Sequence, residues 1–135
     1  MNGSKNVLLD TNVIIFASKG LIDIDLLLRD YDAFYTSIIS YMEVYGYAFK
    51  DESERESIDE LFQNLDIIDL THEIAKQVVV YRSSAKKKIK LPDAIILATA
   101  RYLDADLLTD DWDDFEGIDE KVRVMKLTNY KKNNP

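Results

Sequence analysis

Short, continuously apolar segments, each stopped or broken by a carboxylate, constrain this chain more than any other feature. Val7-Leu8-Leu9 ends at Asp10, and Leu107-Leu108-Thr109 runs into Asp110 and Asp111. Glu43 interrupts the stretch around Ile38-Ile39-Ser40-Tyr41-Met42, and Asp93 opens Ala94-Ile95-Ile96-Leu97-Ala98. A short apolar run without polar alternation has the look of a strand buried on both faces, as in a parallel sheet. An acid at the edge of such a run is costly to bury unless something pairs with it. A divalent cation pairs with several acids at once.

The rest of the chain alternates strand and helix signals. Val7–Leu9 reads as a first strand, followed by a helix or loop ending near Gly20 and a short helix over 21–30. Phe34-Tyr35-Thr36 reads as a second strand, with Ser37 capping a helix through Phe49. Ser53 and Glu56 match a capping box for a helix to about Leu65. Ile67–Leu70 reads as a third strand. Thr71 then caps a helix whose apolar positions Ile74, Val78, Tyr81 and Ala85 step by three and four. Pro92 suits the first residue of a helix ending at Leu103. Ala105–Thr109 and Val122–Leu127 read as the last two strands. The expected architecture is a single α/β domain with about five mainly parallel strands and helices on both faces. Residues 1–128 form that domain, and 129–135 a polar, frayed tail. In such sheets ligands collect beyond the carboxyl ends of the strands, and Asp10, Ser37 and Asp111 all follow expected strands there.

Length and composition agree. At 135 residues the chain is long enough for one core without staples, and it has no cysteine for disulfides, thiolate zinc sites or thiol nucleophiles. No stretch approaches a membrane span, and Asp10 cuts short any signal-peptide core, so a cytoplasmic protein is expected. The net charge of −8 argues against a nucleic-acid partner only until its distribution is read. Residues 104–120 carry nine acids and no base, whereas 82–90 carry Arg82, Lys86, Lys87, Lys88 and Lys90 and no acid. One segment suits cations and the other phosphates, although for any such run taken alone solvated surface is the commoner explanation.

Jointly these residues carry a resemblance. Residues 7–15 (VLLDTNVII), 37–46 (SIISYMEVYG), 93–100 (DAIILATA) and 108–115 (LTDDWDDF) resemble, in order, the four acidic motifs of the PIN-domain family. The small size is similar to the VapC toxins of toxin–antitoxin pairs. The resemblance implies a Mg²⁺- or Mn²⁺-dependent endoribonuclease acting on RNA, commonly a homodimer, and silenced by a cognate antitoxin. It implies that Asp10, Glu43, Asp93 and Asp111 hold the metal. Asp114 is an alternative fourth ligand, because the family often has Asn where Asp111 stands. Thr11, Asn12, Ser37 and Thr109 are candidates for orienting the acids or the scissile phosphate, and the basic run 82–90 for contacting the RNA backbone.

Metal-assisted hydrolysis suits this residue set, because the one histidine, His72, lies at an expected helix start and reads as surface. Two other readings stay open. A degenerate PIN domain would bind RNA or a protein without cutting. A phosphatase-like α/β domain would use a strand-end Asp as nucleophile, but Asn12 stands where its second Asp belongs.

Overall fold

The computed structural model describes residues 5–47, 49–84 and 87–132. Ala85 and Lys86, assigned above to a helix stripe and to the basic run, lie outside them.

The elements follow the chain as β1 (Asn6–Leu9), α1 (Thr11–Ser18), α2 (Ile24–Asp30), β2 (Ala33–Ser37), α3 (Ile38–Tyr45), α4 (Glu52–Gln63) and β3 (Asp66–Ile68). They continue as α5 (His72–Ser84), α6 (Leu91–Leu103), β4 (Asp106–Thr109), α7 (Trp112–Phe115), β5 (Val124–Lys126) and a 3₁₀ turn (Leu127–Tyr130). The five strands form one sheet in the order β3-β2-β1-β4-β5, and every pairing is parallel. The chain winds outward from β1 to β3, then crosses back to place β4 on the other side of β1. That reversal opens a crevice between the carboxyl ends of β1 and β4, where parallel sheets bind ligands.

Alternation along the strands divides the core into two layers. Val7, Leu9 and Leu108 pack with Val13 and Ile14 of α1, Leu27 of α2, Val44 of α3 and Ile58 and Phe62 of α4. Leu8 and Leu107 pack on the opposite face with Ile74 and Val78 of α5, Ile96 and Leu97 of α6 and Phe115 of α7. Leu8, Leu97, Leu107 and Leu108 are fully buried. Burial of such leucines is worth about 2 kcal/mol each before entropy is counted. Among the described residues no helix is long and apolar enough to cross a membrane.

Several local boundaries differ from the sequence expectation, each for a physical reason. Helix α3 stops at Tyr45 because Gly46 closes it, its N–H bonded to the carbonyl of Met42 at 2.9 Å. A Cβ at Gly46 would meet that same carbonyl at 2.9 Å, so glycine is the residue that fits this helix end. Helix α4 begins at Glu52 and is capped by Asp51, two residues before Ser53, with the Asp51 carboxylate accepting from Glu54 N–H at 2.9 Å. Strand β3 is shorter than expected and ends at Ile68. Leu91 precedes Pro92 in α6, with Lys90 at the cap. The chain from Asn129 does not fray as far as Lys132. Tyr130 is 4% exposed and donates to Asp30 at 2.7 Å, and Lys131 bridges to Ile22.

Candidate active site

Asp10 follows β1 and caps α1, its extended backbone turning the carboxylate back over the helix start. It is 5% exposed. One carboxylate oxygen accepts from Thr11 N–H at 2.8 Å and the other from the Thr109 hydroxyl at 2.6 Å. Burial pushes the Asp10 carboxyl up to about 6; the two hydrogen bonds pull it down, and the charges of Asp93 and Asp111 add to the rise. The Thr109 hydroxyl in turn accepts from Asp111 N–H at 2.9 Å. A single side chain at the end of β4 therefore ties Asp10 to the turn that carries Asp111.

Asn12 completes that connection. Its amide donates to the Asp111 carboxylate at 2.9 Å, and its carbonyl oxygen accepts from Asp110 N–H at 3.3 Å. The loop from β4 into α7 is thus pinned to the first turn of α1. Burial raises the Asp111 carboxyl above its ordinary range, Asp114 and Asp110 raise it further, and Asn12 opposes them.

On the other flank, the Thr11 hydroxyl donates to Glu43 at 2.6 Å and lies 2.9 Å from the Ser40 hydroxyl. Ser40 is fully buried, one helical turn before Glu43 on the same face of α3. The sequence reading passed over Ser40, although its i, i+3 spacing from Glu43 was the available signal. Ser37 is occupied differently from the other hydroxyls: it is fully buried and its oxygen caps α3 by accepting from Ile39 N–H at 3.1 Å. Asp93 sits in the first turn of α6, half-buried. Its carboxyl is raised by burial and then by the charges of Asp114 and Glu43, while Lys90 acts against them.

Asp93 therefore lies within electrostatic reach of Asp10, Glu43, Asp111 and Asp114, and the five acids come from five different elements or their edges. Their donors are all hard oxygens, the set that suits Mg²⁺ or Mn²⁺. Among the described residues, no three carboxylates close up into a cage for an ion. The like charges already crowded there are the structural feature that a cation would relieve.

The basic run behaves less uniformly than its sequence suggests. Arg82 donates to the carbonyl of Ile89 at 3.2 Å, and Lys87 donates to the carbonyls of Asp113 and Glu116. Those two side chains brace the loop before α6 and the end of α7. Lys88 and Lys90 are exposed.

A family model described as PIN domain matches residues 7–121, a span that includes all five acids. The chain belongs to the PIN-domain family. No curated protein matches this PIN domain significantly. Among solved structures it is similar to a chain of the toxin–antitoxin complex from Klebsiella pneumoniae. That match has 35% identity and a TM-score of 0.70, covering 86% of this chain and 94% of that one. It shares its fold with VapBC2 from Rickettsia felis, bound to a DNA fragment from their promoter. There the identity is 22% and the TM-score 0.76, over 90% and 98% of the two chains. DNA-bound VapBC from Salmonella typhimurium is similar in fold at 21% identity and a TM-score of 0.75, over 91% and 98%.

Proposed function

We propose that this PIN domain is a divalent-metal-dependent endoribonuclease, the toxin of a VapC-type toxin–antitoxin pair. The observation that carries the reading is the gathering of acids beyond the carboxyl ends of β1 and β4, where burial first and neighbouring acids second raise the carboxyls of Asp10, Asp93 and Asp111. A structural role would need neither the crowding nor its position at the sheet's switch point. The likeness to a chain of the Klebsiella pneumoniae toxin–antitoxin complex supports the toxin half of the reading.

Asp10, Glu43, Asp93 and Asp111 would hold the metal directly or through water, with Asp114 as the alternate fourth ligand. When bound, the cation supplies an activated water and neutralises charge building up on the phosphate. The chain's own groups prepare that site. Thr109 and the Thr11 N–H fix both oxygens of Asp10. Thr11 orients Glu43, and Asn12 holds Asp111. Asp10, Glu43 and Asp111 are thus aimed before any ligand arrives, which removes reorganisation from the reaction itself. Lys88 and Lys90, exposed beside Asp93, are suited to the RNA backbone, with Lys86 as a further candidate.

An antitoxin is the expected partner. An apolar groove of about 550 Å³ between α1, α2 and α4 supports it, with Ile24 at 41% and Leu28 at 56% exposure. Open apolar surface of this kind marks protein contacts, and an amphipathic helix fits a groove between helices. The expected homodimer is supported by a separate apolar pair on α5, Val79 and Val80, at 64% and 51% exposure.

Incubation of the purified protein with total RNA tests the reading. Cleavage should require Mg²⁺ or Mn²⁺, stop with EDTA, and disappear in Asp10→Asn and Asp93→Asn while both variants stay folded. Cleavage that survives EDTA would remove the metal from the mechanism. Absence of cleavage by the wild type with either ion, together with retained RNA binding, would favour a degenerate domain.

A further inference from the structure

Beside the acid cluster lies a cavity of about 370 Å³ whose two walls differ in charge. One wall is the acidic turn from Asp110 to Asp114, and the other is Lys126 and Thr128 at the end of β5. Lys126 pairs in register with Thr109, the residue that holds Asp10. Adjacent strands lie about 4.8 Å apart, so Lys126 stands one strand over from the machinery of the proposed site. Along the carboxyl edge of the sheet, charge therefore changes sign between β4 and β5.

Trp112 links the two walls. Its indole N–H donates to the carbonyl of Val124 at 3.0 Å, which fixes the ring. The Lys126 ammonium rests 4.6 Å from the ring centroid. Among the described residues, Lys126 makes no ion pair, although four acids line the same cavity. Its neighbours are committed: Lys131 pairs with Asp110 at 3.2 Å, and Arg123 pairs with Asp106. Lys126 is left as a positive charge held by an aromatic ring and open to a ligand.

We propose that this cavity is a subsite for one nucleotide flanking the scissile phosphate, with the Lys126 ammonium moving off the Trp112 ring onto the phosphate and leaving that face of the ring to the base. The proposal rests on the ribonuclease reading and names a binding site within it. A single-stranded nucleotide carries both chemistries that the cavity offers, a phosphate for an ammonium and a flat face for an aromatic ring. The acidic wall includes Asp111 and Asp114, the acids that would hold a cation, and a bound ion would offset their repulsion of the strand. A basic peptide would be drawn to the acidic wall but would meet Lys126 on the other. Lys126 is thus a positioning residue, acting on where the RNA lies and not on the reacting atoms.

Trp112 is the only tryptophan in the chain, so its fluorescence reports on this cavity alone. The probe is a short single-stranded oligoribonucleotide, titrated in Mg²⁺ onto the Asp10→Asn protein so that turnover is not needed. Binding should change Trp112 emission. Adding Lys126→Gln should weaken binding by about fivefold to tenfold and lower the salt slope by about 0.7, the loss of one phosphate contact. In the Asp10-intact protein, Lys126→Gln should raise KM with kcat nearly unchanged. Trp112→Phe, which keeps a stacking face, should raise KM less than Trp112→Leu. Oligonucleotide binding seen by anisotropy with no change in Trp112 emission would overturn the subsite. So would no binding at all, or a Lys126→Gln protein with wild-type KM and salt slope. A change in emission with an arginine-rich peptide but not with RNA would overturn it and assign the cavity to a protein partner. Failure of the wild type to cut RNA, with the fluorescence response intact, would overturn the nuclease reading and leave the subsite standing.

Discussion

Replacing Asp10 by Asn should make the metal-free protein more stable. Asp10 is 5% exposed, and its carboxyl is raised from 3.8 to about 6, first by burial and against its hydrogen bonds. A shift of about two pK units corresponds to about 3 kcal/mol. The native state binds this proton more tightly than the unfolded chain does. The ionised form therefore destabilises the fold fully above pH 6, and the penalty fades as pH falls toward 3.8. Asparagine removes the charge but has one acceptor oxygen, where the carboxylate accepted from both Thr11 and Thr109. Remaking one bond with the amide as donor costs about 1 kcal/mol. The net gain at pH 8 in EDTA is about 2 kcal/mol, or about 6 °C in Tm for a domain of this size. Thermal melts followed by circular dichroism at pH 8 and pH 4 would measure it. The advantage should vanish or reverse at pH 4. Saturating Mg²⁺ should raise the wild-type Tm and move the variant far less. A variant that melts at or below the wild type at pH 8 in EDTA would refute the account of Asp10 as a strained, unpaired charge.

Other consequences are open to direct measurement. Thr109→Val removes the donor to Asp10 and the acceptor for Asp111 N–H, so the acidic limb of the pH–rate profile should move upward and activity should fall at least tenfold. Asp111→Ala should reduce RNA cleavage more than Asp114→Ala, because Asn12 and Thr109 hold Asp111 in place; a larger deficit at Asp114 in the same assay would reverse the assignment. Asp119→Asn should cost about 2 kcal/mol in chemical denaturation, since the carboxylate accepts from Tyr81 at 2.5 Å and from Arg101 at 2.7 Å. Burial alone would raise the Asp119 carboxyl, but these bonds hold it below its ordinary value. Its contribution is therefore complete above the usual carboxylate range and lost as pH falls through the lowered folded value.

The central strands were legible in the sequence because a parallel sheet covered on both faces leaves no polar alternation to confuse them. Val7–Leu9 and Leu107–Leu108 are as continuous in burial as in composition. Helix ends were harder, since competing caps lie close together. Asp51 and Ser53 are both good N-caps, and only the three-dimensional packing of α4 on α1 chooses between them. Phe49 continued the apolar pattern of α3 beyond Gly46, yet its ring meets Tyr45 from outside the helix, at 6.1 Å between centroids. The position of Tyr130 depends on a bond to Asp30, 100 residues away, which no local pattern reveals. The same limit applied at the candidate site. The acids announced themselves by interrupting apolar runs, but the hydroxyl and amide groups that aim them could only be guessed from proximity in sequence. Lys87 shows the opposite error: a residue in a charged run was read as available, while its ammonium is bonded to backbone carbonyls of α7 and the residue after it.

The bonds from Thr109 to Asp10 and from Asn12 to Asp111 each join residues 99 positions apart. A chain emerging from a ribosome displays Asp10 and Glu43 long before the segment that orders Asp10 and supplies Asp111 and Asp114. At roughly 5–20 residues per second, several seconds separate the first acid from the last. During that interval Asp10 lacks its bond from Thr109, and Asp111 and Asp114 have yet to be made. The site that these bonds assemble is therefore complete only once β4 has been made and paired with β1.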